Sequence, residues 1–171
     1  IQAVGQAAAR GAFARIALKM TALTDVPLIQ ALLEAGQKGA KIDLIVRGAC
    51  MLPAGVAGMS ENIRVRSVIG RFLEHSRVFY FCADQAESLY LSSADWMSRN
   101  MTRRIELAWP VQDPALRQRI IDECLIAYLH DGRDAWDLSS DGQYHRVGLT
   151  APGPGAQQAL MQRYSADPNP K

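Results

Sequence analysis

One histidine stands among arginines at the head of an apolar run, R-F-L-E-H-S-R-V-F-Y-F, from Arg71 to Phe81. A neutral imidazole can attack phosphorus or accept a proton, and guanidinium forks grip phosphate bidentately. His75 flanked by Arg71 and Arg77 therefore suits transfer of a phosphoryl group whose charge is held while it moves. Phe72, Leu73 and Phe79 are expected to shield that site from water. A second run, L-Y-L-S-S-A-D-W-M from Leu89 to Met97, ends in hydroxyls and an acid and is followed by Arg99, Asn100, Arg104 and Glu106. Ser92, Ser93 and the guanidinium groups can hold phosphoryl oxygens, while Asp95 or Glu106 can orient a histidine or an arginine. Arg47 closes an apolar run at a Gly-containing loop, the kind of edge where ligands collect in open α/β sheets. Arg64 and Arg66 alternate along a strand and share one face, either a path for a polyanion or a solvated side. His130 and His145 have no ligand-type partner at useful spacing and read as surface residues. Trp96, Trp109 and Trp136 read as core or interface. No P-loop, GxGxxG or HExxH run is present.

These residues need elements to position them. Arg15–Met20 reads as a buried strand. Asp25 or Thr24 can cap the next helix, with Pro27 in its first turn and Leu28, Ile29, Leu32 and Leu33 at helical spacing. Lys41–Arg47 is the following strand, so strand, helix and strand make a right-handed βαβ unit with parallel strands. Gly48–Ser60 reads as a loop. Ile63–Val68, Val78–Phe81, Leu89–Ser92 and Ile105–Val111 read as further strands. Asp113 and Pro114 open a helix that runs to Leu129, with Leu116, Ile120, Ile121 and Leu125 as its stripe. Ser140–Gln143 reads as a turn, and the A-P-G-P-G run from Ala151 leads into a loose tail with a helical turn or two around Gln157–Tyr164.

The bulk composition fits one soluble domain with a real core: 171 residues, 49% hydrophobic and 21% charged. A net charge of +2 excludes a polycation, but 15 of the 19 basic residues are Arg, the cation whose planar fork suits phosphate. Three scattered cysteines without a CxxC argue for a reducing compartment and against a disulfide framework or zinc site. No apolar run approaches the roughly 18–20 residues of a membrane span. The start lacks a methionine and the layout of a signal peptide, and reads as the cut end of a larger polypeptide.

Across residues 14–147 these runs resemble the C-terminal catalytic domain of bacterial polyphosphate kinase of the first type. The carriers are K-I-D-L-I-V-R-G from Lys41, R-F-L-E-H-S-R from Arg71 and S-S-A-D-W-M from Ser92. That family is related to phospholipase D enzymes, whose signature is H-x-K-x4-D followed by G-S-x-N. Here His75 and Arg77 take the H-x-K places, Cys82 falls where the Asp would be, and Ser92–Asp95 stands for G-S-x-N. These departures argue against plain phosphodiester hydrolysis.

The resemblance implies an α/β, phospholipase-D-like domain over 14–148, with a mixed, mostly parallel sheet flanked by helices. Residues 1–13 would be a lead-in from the preceding domain and 149–171 a loose tail. It implies reversible transfer of the terminal phosphate of ATP to inorganic polyphosphate, with Mg²⁺, through a phosphohistidine on the preceding domain of the same polypeptide. His75 is then the acid–base partner or a contact to the nucleotide phosphates, Arg47 another such contact, and Arg64, Arg66 and Arg71 a route for polyphosphate. Metal ligands are expected mainly outside this segment, which has no tight carboxylate cluster. The full-length protein is expected to be a homo-oligomer, cytoplasmic or peripheral to the inner membrane, without nucleic acid, and the segment alone is expected to turn over negligibly. Two other readings stay open: a phosphodiesterase half-site with His75 as nucleophile, and a non-catalytic polyanion-binding module.

Overall fold

The computed structural model of the chain describes residues 1–148 and 153–166. An eight-stranded sheet runs through the centre, in the order Ala108–Pro110 (β6), Ala86–Ser92 (β5), Val78–Ala83 (β4), Ala14–Met20 (β1), Lys41–Val46 (β2), Ile63–Val68 (β3), Ala135–Leu138 (β7) and Tyr144–Arg146 (β8). Its middle is the expected βαβ unit. Strand β1 (Ala14–Met20) pairs in parallel with β2 (Lys41–Val46), and β2 pairs in parallel with β3 (Ile63–Val68). Helix α2 (Val26–Gln37) makes the first crossover. Asp25 caps it by accepting a hydrogen bond from Leu28 N at 3.2 Å, and Pro27 sits in its first turn. The expectation of a mostly parallel sheet holds for this centre alone. β4 (Val78–Ala83), β5 (Ala86–Ser92) and β6 (Ala108–Pro110) add antiparallel on one side. β7 (Ala135–Leu138) and β8 (Tyr144–Arg146) add antiparallel on the other.

Alternation along β1 splits the core between two faces. Ile16, Leu18 and Met20 join Leu44, Val46, Ile63 and Val65 beneath α2 and the short α1 (Gln2–Ala9), whose Val4 and Ala7 are buried there. The stretch read as a lead-in thus contributes to the main core. Each fully buried Leu or Ile on this face contributes about 1.5–3 kcal/mol. The opposite face, with Ala17, Ile45, Val68 and Val78, is covered by a helical rod. That rod consists of α4 (Pro114–Ile120), a π-helical stretch (Ile121–Ile126) and α5 (Ala127–Leu129). The spacing from Asp113 to Leu129 predicts one uniform helix. Asp113 caps it as expected, accepting from Leu116 N at 2.8 Å, but Leu116 itself is exposed. Leu125 of the expected stripe is buried together with Tyr128, and Ile120 and Ile121 pack partly buried against them.

Three further differences concern the site. The strand expected over 105–111 shrinks to Ala108–Pro110, because after the short helix α3 (Ser98–Thr102) the stretch Arg103–Leu107 bends back and brings Glu106 to Ser93. The hairpin of β7 and β8 has strands too short to show a period, and only its turn at Ser140–Gln143 was legible. The loose tail holds an eleven-residue helix, α6 (Ala156–Ala166), whose first residues Ala156 and Gln157 are buried. The rest of that expected tail, 149–152 and 167–171, lies outside the described residues.

Candidate active site

The carboxyl ends of β1, β2, β3 and β5 and the amino ends of β4 and β7 share one edge of the sheet. The loops on that edge are stitched to one another. Leu23, just past β1, donates to Ala49 O at 2.9 Å and accepts from Met51 N at 2.9 Å on one side. On the other side Ala22 O accepts from Trp96 N at 3.1 Å, and Thr24 N donates to Trp96 O at 2.8 Å. Trp96 packs on Phe79 with ring centroids 5.3 Å apart, which fixes the turn after β5 against the sheet.

His75 lies on this edge, in the loop before β4, with an exposed side chain. The guanidinium of Arg77 lies against it: Nη1 is 3.2 Å from Nδ1, Nη2 is 3.0 Å from Nε2, and Nη1 donates to His75 O at 3.1 Å. A guanidinium can only donate, so any ring nitrogen bonded to it acts as an acceptor, and a neutral imidazole has one such nitrogen. Arg77 is held in turn by Asp95, with Nε to Oδ1 at 3.2 Å and Nη2 to Oδ2 at 3.0 Å. Asp95 is buried, and its Oδ1 also accepts from Thr21 N at 2.7 Å and Ala22 N at 3.3 Å. Burial alone would raise the Asp95 pKa, but the Arg77 fork and these backbone donors outweigh it and hold the carboxyl below its ordinary range. His75, Arg77 and Asp95 therefore form one connected unit, as the spacing suggested.

Arg47 stands two strands away along the same edge, about 10 Å by the spacing of strands. Its backbone is fixed at both ends, N to Met20 O at 3.2 Å and O accepting from Ser67 Oγ at 2.9 Å. Its Nε is buried without a protein partner, and so is Oγ1 of Thr21, which lies past β1 between Arg47 and His75. Buried donors left open in this way are unusual and suit an anion. Arg47 borders a hollow of about 210 Å³ with Ser67, Ile69, Trp136 and Tyr144. On the far side of His75, Arg104, Asn100 and Ser92 line a hollow of about 400 Å³ floored by Phe79 and Trp96.

Several expected contributors do other work. Ser92 Oγ donates to Leu107 O at 3.0 Å and accepts from Ala94 N at 3.0 Å, and the Ser93 hydroxyl bonds Glu106. Asn100 Nδ2 reaches Glu106 Oε1 at 2.6 Å. The bonds from Ser93 and Asn100, with the nearby charges of Arg104 and Arg77, lower the Glu106 pKa. The serines thus shape the loop instead of pointing free hydroxyls at a phosphate. Arg66 is corrected more strongly. It is buried, bidentate to Asp137 at 2.7 and 3.0 Å, and bonded to the carbonyls of Leu129 and Asp131, so all three guanidinium nitrogens are engaged inside the fold. Arg64 is exposed at 63% but sits toward the opposite edge, beside Asp43 at 3.9 Å. Arg71 and Arg99 are exposed, and Phe72 and Leu73 face solvent at 51% and 72%, so they do not shield His75. Cys82 is buried near the far end of β4 and donates to Asp84 O.

Local spacing does not single out Lys19 and Glu74, which the fold pairs. Lys19 points from β1 beneath the helical rod, 3.2 Å from Glu74 Oε1 and 3.2 Å from the centroid of the Tyr128 ring. Glu74 also accepts from the hydroxyls of Ser76 and Tyr128. Burial pushes its pKa up, but the Lys19 charge and these bonds prevail and hold it at about 2. The available signal was a lone lysine inside an apolar strand, A-R-I-A-L-K-M, which needs a buried partner. Among the described residues no group of three or more His, Cys, Asp or Glu could hold a metal. Glu74, Asp95 and Glu106 are each committed to protein donors, so these residues do not fit a Mg²⁺ site. No helix of the described residues is long and apolar enough to cross a membrane.

Residues 1–158 match the family model described as polyphosphate kinase C-terminal domain 2. The chain is 51% identical over 154 residues to a polyphosphate kinase of Burkholderia multivorans, covering 90% of this chain and 22% of that protein. It is 52% identical over 161 residues to one of Paraburkholderia phytofirmans, covering 94% and 23%. The crystal structure of polyphosphate kinase from Porphyromonas gingivalis superposes with a TM-score of 0.89 at 37% identity, covering 96% of this chain and 25% of that one. The chain thus spans about a quarter or less of the length of these relatives.

Proposed function

Given that the chain belongs to the polyphosphate kinase family, as its C-terminal domain 2, we propose that it supplies half of a site that passes the terminal phosphate of ATP reversibly to inorganic polyphosphate. The observation that carries this reading is the arc along one sheet edge, with an exposed imidazole braced by Arg77 and a guanidinium Nε on Arg47 buried without a partner. Arg47 binds nucleotide phosphate and Thr21 Oγ1 donates beside it. His75 contacts the phosphates and exchanges the proton that balances charge at the bridging oxygen. The histidine that carries the phosphoryl group lies in the remainder of the polypeptide. Its nitrogen attacks the terminal phosphorus, a P–N bond forms, and the P–O bond to ADP breaks. The terminal oxygen of polyphosphate then attacks, and the P–N bond breaks. Arg104, which lines the larger hollow, and the exposed Arg99 and Arg71 meet the polyanion, whereas Arg77, Asp95, Ser92, Ser93, Asn100 and Glu106 support the loops.

Mg²⁺ neutralises phosphate charge in ATP chemistry, and its ligands are the nucleotide phosphates and groups outside this chain. The full-length protein is a cytoplasmic homo-oligomer in this reading. The decisive assay is His75→Ala in the full-length enzyme with labelled ATP, which should abolish polyphosphate synthesis and the reverse reaction. Unchanged rates in both directions would remove His75 from the mechanism.

A further inference from the structure

The stretch 69–77, which carries His75, contains neither helix nor strand. Its ends are tied, Ile69 N to Asp134 O at 3.0 Å and Arg77 O to Ser92 N at 3.1 Å. Apolar burial does not hold the middle, because Ile69, Phe72 and Leu73 are all more than half exposed. Besides the Arg77 contacts to the His75 carbonyl and ring, two polar contacts do. The first is the Glu74 cluster with Lys19, Ser76 and Tyr128 described above. The second comes from α6: Gln157 Oε1 accepts from Phe72 N at 2.8 Å, and its Nε2 donates to Phe72 O at 2.9 Å. A buried side-chain amide thus pairs with one residue's backbone as a neighbouring strand would. Gly70 makes room for it, since a Cβ there would collide with the Gln157 amide oxygen.

The anchor behind Gln157 is equally built. Asp131, itself buried, accepts from Ala156 N at 2.7 Å and so pins the first turn of α6. Its other oxygen takes Arg133 N and Asp134 N at 2.8 and 2.7 Å, and its carbonyl accepts from Arg66 Nη1 at 3.1 Å. A chain of hydrogen bonds and short covalent links therefore runs from β3 through Arg66 and Asp131 to Gln157, Phe72 and the histidine loop. It gives Arg66 a role that its sequence position did not suggest.

We infer that Gln157 is a positioning residue for His75, its amide clamping the backbone of Phe72 so that the imidazole is held in place before substrate arrives. This rests on the reading of His75 given above. Misplacing a reacting group by about 1 Å can cost on the order of 10²-fold in rate. The test uses the full-length enzyme with Gln157→Leu, which keeps side-chain bulk and removes both bonds, and Gln157→Glu, which keeps the acceptor alone. Gln157→Leu should lower kcat roughly tenfold or more while the KM for ATP stays within about twofold, with Gln157→Glu between it and wild type. Amide exchange should rise in a peptide spanning residues 69–77 and not in the central strands.

A folded Gln157→Leu enzyme with wild-type kcat would overturn the clamp, as would unchanged amide exchange across residues 69–77. Should Gln157→Leu not fold, Gln157→Glu and Gly70→Ala, which crowds the same amide, carry the same comparison. If His75→Ala is itself fully active, the reading of His75 fails. Loop exchange in the Gln157 variants then still shows whether the clamp exists.

Discussion

Arg77 spends its fork on neighbours: Nε and Nη2 on Asp95, Nη1 on the His75 carbonyl, and Nη1 and Nη2 against the His75 ring. Lysine at that place, as in the phospholipase D signature, could offer only a point charge. The guanidinium transmits the position of a buried carboxylate to an exposed imidazole. Asp95→Asn should break that link selectively, because its remaining oxygen still accepts from Thr21 N and Ala22 N while its NH₂ opposes the guanidinium. Turnover of the full-length enzyme should fall on the order of 10²-fold. Its unfolding midpoint should fall only modestly, and a variant as active as wild type would show that His75 needs no brace.

At the scale of elements, the sheet edge works because its loops are sewn to each other and to the strands. The loop after β1 donates backbone N–H groups to Asp95 and to Ala49 O, so neither neighbouring loop moves alone. Arg66 belongs to this architecture and not to a substrate path. Arg66→Met should destabilise the fold by about 3 kcal/mol, measured by urea unfolding, because Asp137 loses its ion pair and two buried carbonyls lose a donor. The KM for polyphosphate should be unchanged in the folded fraction. A rise in that KM with stability intact would restore Arg66 to the polyanion route. The three arginines of 64–71 look alike in sequence, yet each has a different fate. Arg64 clears the helical rod and meets solvent, Arg66 is roofed by Leu129–Asp131, and Arg71 rides on the clamped loop.

For the molecule as a whole, arginines exposed along one edge and a net charge of only +2 predict a local electrostatic site and not general stickiness. Chain 1–171 should bind inorganic polyphosphate weakly, with affinity dropping as salt rises from about 0.1 to about 1 M and the Debye length shrinks from about 10 to about 3 Å. It should consume no ATP. Affinity unchanged across that range, followed by fluorescence anisotropy of labelled polyphosphate, would contradict a guanidinium-based site.

The βαβ centre, the cap at Asp25, the opening of the long helix at Asp113 and the linkage of His75 with Arg77 and Asp95 were legible in the chain, because each depends on neighbours within a few dozen residues or on a periodic pattern. Strand order, the fate of Arg66, the buried Lys19–Glu74 pair, the hairpin after the rod and the docking of α6 were not. Gln157 and Phe72 are 85 residues apart, as are few pairs that local spacing can suggest. Whether a serine faces a phosphate or its own loop, and whether an arginine is free or spent, depends on which distant carbonyls and carboxylates the folded sheet brings within about 3 Å. Those partners are chosen by topology, and residue type alone carries no record of them.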